Sequence, residues 1–145
     1  MRPPVLNSRI EILDHTADVG IRVWASSLGE LLVLAAQAMM QLVVDETPQD
    51  CGVSYTVEIS GDDQEQLLVN WLSELNYLLQ TERFLFADCQ EATLTANRFC
   101  SQVVGERLHP GQKHLRSEIK AVTYHQIQIR CNAEGVWQAQ VYFDV

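Results

Sequence analysis

Asp14-His15-Thr16-Ala17-Asp18-Val19-Gly20 places two carboxylates, an imidazole and a hydroxyl within five residues, at the foot of an apolar run. Oxygen anions so closely spaced can ligate a hard cation. The sequence ends on Phe143-Asp144-Val145, which is expected to set a second aspartate beside a terminal carboxylate. If the two segments meet, Asp18, Asp144 and Val145 supply oxygen anions to one site. Carboxylates crowded together raise one another's pKa, and a bound cation relieves that repulsion. Oxygen donors with little nitrogen or sulfur favour Ca²⁺ or Mg²⁺, and the larger, more flexible shell of Ca²⁺ accepts backbone carbonyls from irregular loops. His15 argues for Zn²⁺, but one histidine with distant carboxylates is a weak zinc set. A histidine beside a threonine at a strand start also orders a loop by hydrogen bonding.

For these residues to meet, two strands must lie side by side. Val19, Ile21, Val23 and Ala25 alternate with Gly20, Arg22 and Trp24, the period of a half-buried strand, and Ile10 to Leu13 suggests a short strand before it. In the closing strand Trp137, Ala139, Val141, Phe143 and Val145 share one face, and Gln138, Gln140, Tyr142 and Asp144 the other. Asp18 has the parity of Gly20, Arg22 and Trp24, so an antiparallel pairing brings the start of one strand and the end of the other together with both aspartates off the core face.

Two helices supply the rest of the core. Ser27-Leu28-Gly29-Glu30 reads as a capping box, and Leu28, Leu31, Leu32, Ala35, Met39, Leu42 and Val43 form one stripe, so a helix is expected to about Val44. A second cap at Asp62-Asp63-Gln64-Glu65 opens a helix in which Leu67, Leu68, Trp71, Leu72, Leu75, Leu78 and Leu79 share a face. Asn70, Glu74 and Tyr77 lie off it. Between the helices Asp45 to Gly52 reads as loop and Val53 to Ser60 as a strand. From Phe84 onward the pattern turns to strands: one from Phe84, one over Leu94 to Val104, one over Ile119 to Ile129, a hairpin turn at Asn132 to Gly135, and a last strand from Val136. The expected class is α+β, a single domain over residues 1–145 with two main helices on a mostly antiparallel sheet and residues 1–7 as an exposed lead-in.

Ten Lys and Arg against nineteen Asp and Glu give a net charge of -9, which disfavours tight nucleic-acid binding and suits a basic protein partner. Arg98, Arg107, Lys113, Arg116 and Lys120 fall in one region, as a local basic patch or as a solvated face. Cys51, Cys89, Cys100 and Cys131 contain no C-x-x-C pair and read as buried free thiols. With no leader pattern and no apolar run long enough to span a bilayer, a cytoplasmic location is expected.

His15-Thr16-Ala17-Asp18-Val19-Gly20, Leu67 to Leu75, Ile119-Lys120-Ala121-Val122-Thr123-Tyr124-His125 and Phe143-Asp144-Val145 together resemble the archease family, in its order and at its spacing over essentially the whole length. The resemblance implies an accessory protein of the GTP-dependent tRNA-splicing ligase, which joins a 3′-phosphate or 2′,3′-cyclic phosphate end to a 5′-hydroxyl. Such a protein promotes guanylylation of the ligase and repeated turnover, and does not itself seal RNA. The resemblance also implies a divalent ion, usually taken as calcium, at Asp18, Asp144 and Val145, with His15 and Lys120 as candidates for partner contact or support. The chain departs from the family pattern between Gly105 and Ser117, where His109-Pro110-Gly111-Gln112-Lys113-His114-Leu115 replaces an aspartate and an Arg-His pair ahead of a glycine. Roles tied to those residues are not carried over.

Two other readings use the same residues. A small metal-dependent phosphoesterase would hold its ion with Asp18 and Asp144 and use His15 as general base. A binding module would recognise a protein face without metal. Lys120 can steer a phosphate or a partner carboxylate, or can simply blunt a sheet edge.

Overall fold

Ser27 opens the first helix as its sequence implies: its Oγ accepts from the Glu30 amide at 3.1 Å. The Glu30 carboxylate reaches one residue further back than a simple capping box, accepting from the Ser26 amide at 2.8 Å and the Ser26 hydroxyl at 3.1 Å. Those contacts, the backbone bond foremost, hold its carboxyl below the usual carboxylate range. Helix α1 then spans Leu28–Val43. The second helix, α2 (Gln64–Glu82), repeats the device, with Asp63 accepting from the Gln66 amide at 2.7 Å and Gln66 accepting from the Asp62 amide at 2.6 Å. The residue that closes this box is Gln66, not Glu65. In this computed structural model, residues 9–14, 18–111 and 115–145 are described. The expected lead-in at residues 1–7, His15 and Lys113 lie outside them.

The strands are β1 (Ile10–Asp14), β2 (Val19–Ala25), β3 (Val53–Ser60), β4 (Phe84–Thr95), β5 (Arg98–Arg107), β6 (Ala121–Val122), β7 (Gln128–Cys131) and β8 (Trp137–Asp144). All pairings are antiparallel, and the fold is α+β as expected. The strands divide into two sheets, one ordered β1-β2-β8-β6 with β7 also on β8, the other β3-β5-β4.

Every residue of the α2 stripe named from sequence is buried. At about 2 kcal/mol for each large apolar side chain removed from water, that stripe is a principal contributor to the core. Trp71 anchors it, stacking edge-on against Phe86 and Phe99 while its indole N–H donates to the Leu32 carbonyl of α1 at 2.8 Å. Asn70, off the stripe, donates to the Ser60 carbonyl at 2.8 Å and so ties the helix to the end of β3.

Two expected strands are interrupted. The run from Leu94 to Val104 is split by a turn at Ala96 and Asn97 that makes β4 and β5 a hairpin; Ala96 takes a φ of 51° without glycine to announce it. The run from Ile119 to Ile129 keeps only β6 and β7, because Thr123 to Ile127 leaves the sheet through Gln126 at a φ of 53°. Further, β4 bulges at Ala87 between Phe86 and Asp88, and Gln37 of α1 donates to the Ala87 carbonyl at 3.0 Å.

The cysteines also differ from expectation. All four are free, but Cys51 and Cys131 are exposed and Cys89 and Cys100 half-buried. Burial pushes the Cys89 thiol up to about 11. No helix among the described residues is long and apolar enough to cross a membrane.

Candidate functional site

The first sheet is built around β8, and β8 positions the site. Along its pairing with β2, Val19 faces Phe143, Gly20 faces Tyr142 and Ile21 faces Val141. Asp18 is the residue just before Val19 and Asp144 the one just after Phe143, so both follow in sequence from the last pair of this ladder. The opposite edge of β8 carries β6, with Ala121 across from Asp144 and the Lys120 amide donating to the Asp144 carbonyl at 2.7 Å. Asp144 thus lies beside the start of β6, which brings the backbone of an exposed lysine.

Burial divides these groups. Asp18 is half-buried, whereas Asp144, Val145 and Lys120 are exposed. Phe143, one residue before Asp144, is fully buried in the core, so the last turn of side-chain direction in β8 presents Asp144 outward from a rigid support. Position 20 admits no side chain, since a Cβ there would meet Tyr142 Cδ1 at 2.7 Å and the Val141 carbonyl oxygen at 2.9 Å. The glycine lets the Tyr142 ring lie close against β2.

The face of β8 expected to be open and polar is in large part covered. Gln140 and Tyr142 are buried, and only Asp144 at its end is exposed. The segment from Thr123 to Ile127 does the covering. Thr123 donates from both its amide and its hydroxyl to the Tyr142 carbonyl, at 3.0 and 2.9 Å, and the His125 ring tilts against Tyr142 at 6.0 Å. Gln140 donates to the Gln126 carbonyl at 3.0 Å and accepts from Arg22 at 3.1 and 2.5 Å. His125 orders this turn, its amide donating to the Thr123 hydroxyl at 3.2 Å.

In kind, the carboxylates of Asp18, just before β2, and Asp144, at the end of β8, are hard oxygen donors that would suit Ca²⁺ or Mg²⁺. Such a set offers hard oxygen and no sulfur. Among the described residues no group of three or more His, Cys, Asp and Glu side chains stands close enough together to hold a metal ion. Asp18 and Asp144 supply two carboxylate side chains at most, so further ligands would have to include backbone oxygens.

Three of the basic residues expected in one region have partners of their own. Arg98 pairs with Glu58 at 2.5 Å, Arg116 pairs with Asp45, and Arg107 donates to the Glu82 carbonyl at 2.5 Å and to Tyr55 at 3.3 Å. Two concavities, of about 410 and 270 Å³, open elsewhere. The larger has an apolar floor of Ile10, Met40, Val44 and Phe86, and Arg116 borders both.

Sequence reasoning overlooked Asn76. It stands in the apolar stripe of α2, is buried, and donates from Nδ2 to the Ile119 carbonyl at 2.9 Å, just before β6. A polar residue between Leu75 and Leu78 was the available signal.

Residues 10–145 match the model of the archease protein family. The chain belongs to the archease family. Protein archease of Pyrococcus abyssi is 34% identical over 140 residues, covering 94% of this chain and 99% of the relative. Protein archease of Methanosarcina acetivorans is 33% identical over 146 residues, covering 98% and 99%. Among solved structures, protein 1598 of Methanobacterium thermoautotrophicum superposes with a TM-score of 0.79 at 30% identity, over 94% of this chain and 99% of that one. An archease of Thermotoga maritima, described as a possible chaperone, shares the fold with a TM-score of 0.62 at 20% identity, over 100% and 98%. Archease membership thus extends over both helices and both sheets, including the strand ends that carry Asp18 and Asp144.

Proposed function

We propose that this protein is a non-catalytic activator of a tRNA-splicing RNA ligase, promoting guanylylation of the ligase and its multiple turnover in tRNA processing in the cytoplasm. A divalent cation, Ca²⁺ in preference to Mg²⁺ or Zn²⁺, is held by Asp18, Asp144 and Val145. Membership of the archease family supports the activity class, and the antiparallel β2–β8 pairing, which ends at Val19 and Phe143, supports the site because Asp18 and Asp144 are the next residues in sequence.

The chain's own residues have distinct parts in this reading. Asp18 and Asp144 hold the cation, which when bound neutralises their charge and can bridge to an oxygen anion of a partner. The exposed Lys120, beside Asp144, offers an ammonium to a phosphate or carboxylate of that partner. The net charge of -9 suits docking on a basic, RNA-handling enzyme and opposes independent RNA binding.

The test is ligase guanylylation measured with the wild type, Asp18→Ala and Asp144→Ala, each checked for folding. Stimulation that falls sharply in both variants supports the site. Undiminished stimulation by both folded variants rejects it, and failure of the wild type to stimulate any RNA ligase rejects the activity.

A further inference from the structure

The end of β8 would fray if nothing gripped it, because a strand end orders only where it is tied down. On one side β2 provides the grip. On the other side the grip is β6, and β6 is only two residues long. A ladder so short cannot hold itself, so the question is what holds β6.

Asn76 answers it. The side chain is 9% exposed, and its Nδ2 donates to the Ile119 carbonyl, a bond between residues 43 apart in sequence. Ile119 is itself 1% exposed, so its side chain enters the core while its carbonyl is bound to α2. The next residue, Lys120, donates its amide to the Asp144 carbonyl at 2.7 Å, and Ala121 pairs with Asp144. A continuous chain of contacts runs from α2 to the end of β8: Asn76, Ile119, Lys120, Asp144.

The amide is an expensive choice for this position. Its Oδ1 is buried and has no hydrogen-bond partner among the described residues, while the surrounding stripe is leucine. Burying an amide whose oxygen goes unmatched is unfavourable, and a leucine of similar size would avoid it. What a leucine cannot do is bind the Ile119 carbonyl. Polarity here serves the attachment of β6 more than the packing of α2.

We infer that Asn76 is a positioning residue, which fixes Asp144 by holding the Ile119–Ala121 segment against the end of β8. The consequence for cation affinity rests on the function proposed above; the positioning itself does not.

The experiment is amide hydrogen exchange on the whole chain, comparing wild type with Asn76→Leu and, as a second variant that needs no new packing, Asn76→Ala. Loss of one hydrogen bond is expected to speed exchange of the Lys120 amide by roughly tenfold in both, with the Ile21 amide in β2 unchanged. Unchanged protection at Lys120 overturns the inference, and so does equal acceleration at Lys120 and Ile21, which marks Asn76 as an ordinary core residue. Titration of the same proteins with Ca²⁺ separates the two claims. Weaker binding by Asn76→Leu, with Asp18 and Asp144 intact, joins the positioning to the site. Absence of Ca²⁺ binding by wild type overturns the metal reading while hydrogen exchange still decides the role of Asn76.

Discussion

Gly20 and Tyr142 face each other across the β2–β8 pair, and the tyrosine ring occupies the space that a β-carbon at position 20 would need. The ring has no free side to retreat to, being buried under the turn that carries His125. The Val141 carbonyl, also within 2.9 Å of that point, is backbone and cannot swing away. Gly20→Ala is therefore expected to destabilise the fold by about 1 to 3 kcal/mol, the range for forcing an extra carbon into a packed interior. Urea unfolding of the two proteins measures it. A variant as stable as wild type would mean that β2 and β8 are less closely apposed than described.

The cap of α1 predicts a pH dependence. Ser26 holds the Glu30 carboxyl below its usual value of 4.5, chiefly through its backbone amide. A carboxyl depressed in the folded state contributes stability above the unfolded value, and that contribution is lost as pH falls through the folded one. The difference in Tm between wild type and Glu30→Ala should be present at neutral pH and shrink below about pH 4.5. A constant difference from pH 7 to pH 3 contradicts the assignment.

Thiol reactivity should follow exposure and ionisation. Cys51 and Cys131 are exposed, while Cys89 is half-buried and its thiol is pushed up to about 11 by burial. Since the thiolate is the nucleophile, alkylation at pH 8 is expected to label Cys51 and Cys131 well before Cys89. Peptide mass mapping over time gives the order. Early labelling of Cys89 would contradict the burial that raises its thiol.

These residues also show what a sequence can disclose. The helices were legible because their apolar positions repeat at 3.6 residues and their caps use side chains with a single physical task. The hairpin at Ala96 and Asn97 and the departure at Gln126 were not, because non-glycine residues there take positive φ inside runs that still alternate. Cysteine burial was misjudged because Cys51 lies in the loop before β3 and Cys131 at the very end of β7, where a neighbouring apolar run does not imply burial. For the site, alternation sufficed to pair β2 with β8 in antiparallel fashion, ending at Val19 and Phe143. Asn76 was hidden, since its partner is a main-chain carbonyl that no side-chain pattern advertises. His15 falls outside the described residues, so its expected role is carried only by the sequence motif.

Direct titration with Ca²⁺, followed by calorimetry and by the rise in Tm, bears most closely on the claim that the two strand ends share one hard cation. Binding at one site by the wild type, with a Tm that climbs with ion concentration, and loss of both effects in Asp18→Ala and in Asp144→Ala is the predicted result. Equal binding by all three proteins, or neither heat nor stabilisation in the wild type, would contradict it.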